Sequence, residues 1–463
     1  MPEALLWAPQ AWIAGRWHDA VVLRADATGH WGEITPGVVP PRDAVVLAGP
    51  VLPGLVDAHS HAFQRAFAGL AERRATDVDD FWSWRDRMYG VALRITPEQL
   101  RAVAAQLYVE LLRGGYTQVC EFHYLHHAED GRAYDDLATL AWALADGAVD
   151  AGIGLTILPV LYERSGFAQD TLGDDQRRFK ATPAFVHALY TNVQAARRPL
   201  VNAGVAIHSL RAATGASITE LMKLVGDDAV PVHIHVAEQL REVDECVATT
   251  GARPIEWLCG ELCLDARWQL VHATHANPAE IDAVAASGAG IVICPSTEAN
   301  LGDGLADLPR WLEAGVPLAL GSDSQVSRSW TEELRWLEYG QRLIRRERNV
   351  GAAPAAGQPA TAARLFESVA AGRGRSAGLK QWGLVRGARA DALVIDMQAS
   401  GLIGVSASHV LDALVFATDA PAFREVYVAG RRVVVDGRHS HEAIIAHRFS
   451  DVMAELWSGS HAP

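Results

Sequence analysis

The sequence predicts an α/β chain whose centre is a (β/α)8 barrel of the TIM type, with a small β-sandwich domain built from both chain ends. Three observations predict it. Eight short apolar stretches recur through the middle of the chain, and helix-patterned segments separate most of them. Both ends instead alternate apolar and polar residues with Gly and Asp punctuation. The central stretches also end in histidines and carboxylates, at the end of the strand where such a barrel carries its chemistry.

Residues 1–50 read as short strands in "AWIAGRWHDAVVLRAD" and "DAVVLAGPVLPG". The first barrel strand opens "PGLVDAHSHAFQRAFAGL". Side chains two apart in a strand point the same way, so His59 and His61 share a face. Two adjacent imidazoles are an expensive choice for packing alone. The other strands are "GYTQVCEFH", "GIGLTILPVLY", "GVAIHSL", "VPVHIHVAE", "WQLVHATH", "GIVICPS" and "PLALGSDS". Helix patterns between them include "TPEQLRAVAAQLYVELLRGG", "SITELMKLVG" and "PAEIDAVAAS". The far end returns to strands in "DALVIDM" and "EVYVAGRRVVVDGRH" before one amphipathic helix, "HEAIIAHRFSDVMAELW". The expected division is 1–50 plus 384–440 for the sandwich, 51–383 for the barrel and 441–457 for the C-terminal helix.

Composition narrows the class. The 463 residues are 49% hydrophobic, ample for a large core, and the net charge of −14 argues against nucleic acid or an anionic membrane as partner. An anionic small molecule remains compatible, provided arginines cluster locally. The N-terminus lacks a basic segment followed by an apolar one, and no apolar run is long enough to span a bilayer. Five scattered cysteines suit a reducing cytosol better than a disulfide framework. Cys259 and Cys263, one helical turn apart, are expected as buried thiols. A cytoplasmic protein is the expectation.

The strand ends carry the chemistry. One strand ends "CEFHY"; others end with His208 and Arg211 in "AIHSLR", His233, His235 and Glu238 in "VHIHVAE", His272 and His275 in "LVHATH", and Asp323 in "LALGSDS". A single histidine there is more often a hydrogen-bonded structural residue than a ligand. Recurrence at so many strand ends outweighs that reading. Three neutral imidazoles and one carboxylate suit Zn2+, with Fe2+ acceptable, and leave room for a water. The expected ligands are His59, His61, His235 and Asp323. Such an ion lowers the pKa of its water from about 15.7 towards about 7. Glu238 follows His235 closely enough to exchange a proton with that water, and His272 can polarise the attacked group or steady the nucleophile.

These residues, in this order, resemble the amidohydrolase superfamily, particularly its mononuclear aminohydrolases. "PGLVDAHSH", "HIHVAE", "LVHATH" and "LGSDS" carry the match, and "GLVRGARADALVIDM" and "VYVAGRRVVVDG" resemble its small sandwich. The resemblance implies acid–base roles for Glu238, His272 and Asp323. Binuclear members bridge two metals with a lysine on the fourth strand. Here that strand reads "GVAIHSLRA", and the only lysines are Lys180, Lys223 and Lys380. One metal is expected.

Within the superfamily, "HAFQRAFAGLAERRATDVDDFWSWRDRMY", "FHYLHH" and "HSLRA" are similar to the formimidoylglutamate deiminases, enzymes of histidine breakdown. The implied reaction is hydrolysis of N-formimidoyl-L-glutamate to N-formyl-L-glutamate and ammonia. A substrate with two carboxylates needs guanidinium partners inside the site. Arg85 and Arg211 are the candidates, with Gln64, Tyr124 and His208 completing the hydrogen bonds. The plain alternative for Arg85 is a helix arginine stacked on tryptophan. The family also implies a homodimer. One stretch departs from it: "AAGRGRSAGL" stands where relatives carry a Gly-Gly-Ala turn. The rival readings are a mononuclear deaminase of guanine, cytosine or a related ring, an imidazolonepropionase-like hydrolase, and a non-catalytic barrel scaffold.

Overall fold

The computed structural model describes residues 4–74, 80–370, 372 and 374–458. Part of the discriminating stretch after the first strand, 75–79, therefore lies outside the described residues, as do positions 371 and 373 of "AAGRGRSAGL" and the first three residues.

Eight parallel strands close into a barrel. In chain order they are Leu55–Ser60, Tyr116–His123, Gly154–Leu161, a split fourth strand (Val201–Ala203 and Val205–Ile207), Val232–Val236, Trp268–His272, Gly290–Ile293 and Leu318–Leu320. Leu320 pairs with Asp57 and closes the ring. The fourth strand splits at Gly204, where an added Cβ would stand 2.4 Å from the Pro231 carbonyl oxygen. Glycine is required by that close approach.

Helices follow the strands because their starts are written into the sequence. Thr96, Thr182 and Asn277 each cap a helix with a side-chain oxygen, and Pro97, Pro183 and Pro278 occupy the first helical position. A cap of this kind contributes about 0.5–2 kcal/mol, and the proline has no N–H to leave unsatisfied. Helices Pro97–Arg113, Gly215–Val225 and Pro278–Ser287 cover the three patterns read as helical.

The chain ends meet in one nine-stranded sheet, from the Trp31–Thr35 edge through Ala4–Ile13 and Ala392–Ile395 to Arg438–His439. It holds its own core, including Leu6, Leu23, Trp31, Val51, Val394 and Tyr427. Backbone hydrogen bonds from Ala390 to Gly29 and from Gly430 to Ala390 tie distant strands together. A single sheet can enclose such a core only by folding over it, which gives the sandwich. Helix Glu442–Trp457 comes last. Among the described residues no helix is long and apolar enough to cross a membrane.

One expectation needs correcting. Cys259 is half-buried and Cys263 exposed, so they are not a pair of buried thiols. Helix Pro254–Glu261 ends before Cys263 and leaves it on a loop. All five cysteines are free.

Candidate active site

The site is assembled by backbone pairing. The first strand gains one residue on the second between the pairs Asp57–Val119 and Ser60–Glu121. This irregularity falls at Ala58 and His59, and bulges re-aim side chains in this way. His61 lies just past the strand, and its placement comes from elsewhere: its N–H bonds the Asp323 carbonyl at 3.3 Å, while the Asp323 N–H bonds the His59 carbonyl at 2.9 Å. His61 Nδ1 donates to the Phe122 carbonyl at 3.1 Å, which leaves its Nε2 lone pair facing inward. The Ala62 N–H and the Ser60 hydroxyl both donate to buried Glu121, at 2.6 and 3.1 Å, and fix the turn.

The nitrogen and oxygen atoms of the expected ligands converge. His59 Nε2 is 3.0 Å from His235 Nε2 and 3.4 Å from Asp323 Oδ1, which His61 Nε2 approaches to 3.3 Å. His59, His61 and Asp323 form one group able to hold a metal; His59, His235 and His272 form an overlapping one, and His272, Cys294 and Asp323 a third. Burial holds all three imidazoles His59, His61 and His235 below the usual histidine range, His61 at about 3. They are therefore neutral donors. Asp323, despite its burial, is held below the usual carboxylate range, chiefly by its hydrogen bond with His59. Three neutral nitrogens and one carboxylate around a shared centre fit a divalent ion.

Glu238 and His272 stand beside this group. The chain turns after Val236 through Ala237 (φ 52°), and the Ala237 and Glu238 N–H groups both donate to Glu242, at 3.1 and 3.0 Å. Burial pushes Glu238 up to about 7, with the charge of His272 opposing the shift. Its carboxylate lies 3.7 Å from His272 Nε2. On the other side of the ring, Nδ1 donates to Glu298 at 3.3 Å, so Nε2 also carries a proton when the ring is charged. Burial works against a charge on His272, but Glu238, Glu298 and Asp323 together move its pKa upward. Left-handed backbone at Ala237, His272, Ala273, Asp323 and Gln325 clusters here. Each such residue costs of order 1–3 kcal/mol, and such strain gathers at functional sites.

Above the group opens a cleft of about 540 Å3, and all five expected binding residues line it: Gln64, Arg85, Tyr124, His208 and Arg211. Gln64 donates to the Tyr124 hydroxyl at 3.1 Å. His208 is half-buried and hydrogen-bonded to Ser209. Arg211 is only 6% exposed yet makes no hydrogen bond or ion pair among the described residues, and buried Nε of Arg85 is likewise unpartnered. Both guanidiniums instead stack on Trp82, at 4.6 Å for Arg85 and 5.1 Å for Arg211.

Other strand-end histidines serve the fold. His233 donates to the Ser376 carbonyl at 2.8 Å, His126 to that of Val160 at 3.1 Å and His127 to that of Lys180 at 2.7 Å. Sequence reasoning missed Phe81, Trp84, Met88 and Tyr89, which line the cleft with Arg85 from helix Phe81–Ala92. Their spacing of three and four residues was a readable helical stripe. It also missed Tyr162 and the braces Glu121, Glu242 and Glu298, for which one sequence carries no local signal.

The formimidoylglutamate deiminase of Pseudomonas aeruginosa is 45% identical to this chain over 97% of it and 99% of the relative. The crystal structure of an amidohydrolase from Brucella melitensis superposes with a TM-score of 0.92 at 40% identity, covering 98% of this chain and all of the other. An adenosine deaminase from Xanthomonas campestris with bound zinc shares the fold at 21% identity and a TM-score of 0.80, over 98% of this chain and 99% of its own. A family model described as "Amidohydrolase family" matches residues 51–433, most of the chain, and with the 45% relative it establishes that this protein belongs to the amidohydrolase family.

Proposed function

We propose that the protein hydrolyses N-formimidoyl-L-glutamate to N-formyl-L-glutamate and ammonia, the step in histidine breakdown that its resemblance implies. The observation that carries the substrate is the pair of guanidiniums that make no ion pair among the described residues, Arg85 and Arg211, lining the same cleft as the histidine–aspartate group. A buried cation left unpaired costs several kcal/mol, so this arrangement is stable in use only with an anionic ligand. The 45% relative bears the name of this activity. A neutral heterocycle such as guanine or cytosine would suit the aromatic wall but would leave both guanidiniums unpaired.

His59, His61, His235 and Asp323 would hold one divalent ion, zinc being the natural choice for this donor set and Fe2+ an acceptable one. When bound, the ion supplies a water that ionises near neutral pH. The rest falls to the chain's own groups. Arg211 and Arg85 bind the glutamate carboxylates and hold the formimidoyl carbon over the metal end, with Gln64, Tyr124 and His208 completing the hydrogen bonds. Glu238 takes the proton of the attacking water on its carboxylate. As the water oxygen bonds the formimidoyl carbon, Glu238 passes that proton to the terminal nitrogen. It then carries the remaining hydroxyl proton to the same nitrogen, so the C=O bond forms as the C–N bond breaks and ammonia leaves. His272 donates from Nε2 to the developing negative charge, its other nitrogen held by Glu298. Asp323 stabilises the neighbouring positive charge. None of the three lysines lies on a barrel strand: Lys223 is inside helix Gly215–Val225, and Lys180 and Lys380 lie in loops. That favours one ion over a bridged pair.

The test is ammonia release from N-formimidoyl-L-glutamate by metal-loaded protein, with guanine and cytosine as controls. Turnover of the formimidoyl compound alone is expected. Faster turnover of either base would replace this substrate with a nucleobase.

A further inference from the structure

The arginine end of the cleft continues outward. Arg85 and Arg211 also line an outer groove of about 1010 Å3, together with Trp82, Phe167, Gln169 and Arg241. Trp82 lines this outer groove, and a third guanidinium lies over its ring: Arg241 is 4.5 Å from the ring centroid. Stacking engages the flat face of a guanidinium and leaves its in-plane N–H groups free for a carboxylate. Arg241 sits in the first turn of helix Leu240–Thr250, with a side chain 62% exposed. Among the described residues its ion pair is with Glu245, at 2.7 Å one helical turn away. Exposed pairs of this kind contribute little and yield readily to a competing anion. Among the described residues lining the groove, Asp86 and Glu245 are the acids, so three guanidiniums stand there with two carboxylates. On a chain of net charge −14, such a local reversal of sign has to be built.

We propose that Trp82 and Arg241 form an outer capture site for a carboxylate of a dicarboxylate substrate, drawing it toward Arg211 and Arg85. This rests on the dianionic substrate proposed above. Arg241 lines the outer groove and not the inner cleft that holds the histidine–aspartate group. Its field raises the local concentration of the anion at the mouth and is still felt once the anion is bound.

Steady-state kinetics of the metal-loaded enzyme on N-formimidoyl-L-glutamate, at low and high salt, test this. Arg241→Gln should lower kcat/KM by about tenfold at low salt, the lower end of electrostatic steering, with kcat and metal content unchanged. The gap should close at high salt, where charges beyond a few ångströms are screened. Glu245→Gln removes the competing carboxylate and should raise kcat/KM at low salt. A wild type that ignores formimidoylglutamate overturns the substrate reading, and this site with it. A wild type that turns it over, while Arg241→Gln matches its kcat/KM and salt dependence, overturns the capture site alone.

Discussion

The two ends of the cleft are built differently. At the metal end, His59, His61, His235 and Asp323 stand on strand ends locked to one another by ladder hydrogen bonds, and buried carboxylates hold the turns. At the substrate end, Arg85 rides on a helix beyond the barrel, and Arg211 follows the fourth strand on a short turn. There, aromatic faces do the positioning. On the function proposed above, the difference separates chemistry from selectivity: the strand ends would fix what is done, and the arginine wall to whom.

The largest expected effect lies at the metal end. Glu238→Gln keeps the shape and removes the base, so kcat should fall by roughly 10²–10⁴ with the metal retained. Near-normal turnover in a metal-replete variant would assign the proton to another group. At the other end, Arg211→Met should raise KM for formimidoylglutamate on the order of a hundredfold, the scale of losing a buried charged partner. Arg85→Met should act in the same direction but more weakly, because Arg85 is only half-buried. Equal metal content in both variants, measured by elemental analysis at about one equivalent as this ligand set implies, keeps the two ends distinct. Two equivalents with a bridging ligand would merge them into a different site.

A smaller effect probes the rigidity of the strand ends. Gly321 lies against the first strand, and a Cβ there would stand 2.7 Å from His59 Cβ and 2.8 Å from Cys294 Sγ. Gly321→Ala should weaken metal binding by about 10–100-fold, the usual cost of disturbing a ligand's support. Unchanged affinity would mean that the strands yield without consequence. The smallest effect is one of stability. Burial raises the Glu333 carboxyl from 4.5 to about 8, while the Ser296 N–H and hydroxyl donate to it. The folded chain thus keeps a proton that the unfolded chain releases near 4.5. This contribution is full below about pH 4.5 and is lost as pH rises through about 8. The melting-temperature advantage of wild type over Glu333→Gln should shrink across that window. A growing advantage would reverse the assignment.

Much of the metal end was legible because its residues are chemically rare on apolar strands. His59 and His61 were found by alternation, although alternation is only part of the reason they meet: a bulge falls at His59, and His61 is aligned by the backbone of Asp323. His235 and His233 look equivalent in sequence, and only the structure shows His233 occupied by the Ser376 carbonyl. The barrel was legible from strand–helix alternation. Glu121, Glu242 and Glu298 were not, because a buried carboxylate bonded to backbone N–H groups reads like any surface acid. Arg85 depended on resemblance; its tryptophan stacking is as expected of an ordinary helix arginine, and its exposure to the cleft emerges only in three dimensions.

The separation of chemistry from selectivity is tested most directly by one exchange experiment. The kcat/KM values of wild type and Arg211→Met are compared on formimidoylglutamate and on a simple formamidine lacking both carboxylates. The account predicts that the variant loses its rate on formimidoylglutamate alone and keeps the low wild-type rate on the formamidine. An equal fall on both substrates would contradict it, because Arg211 would then support the reacting centre itself.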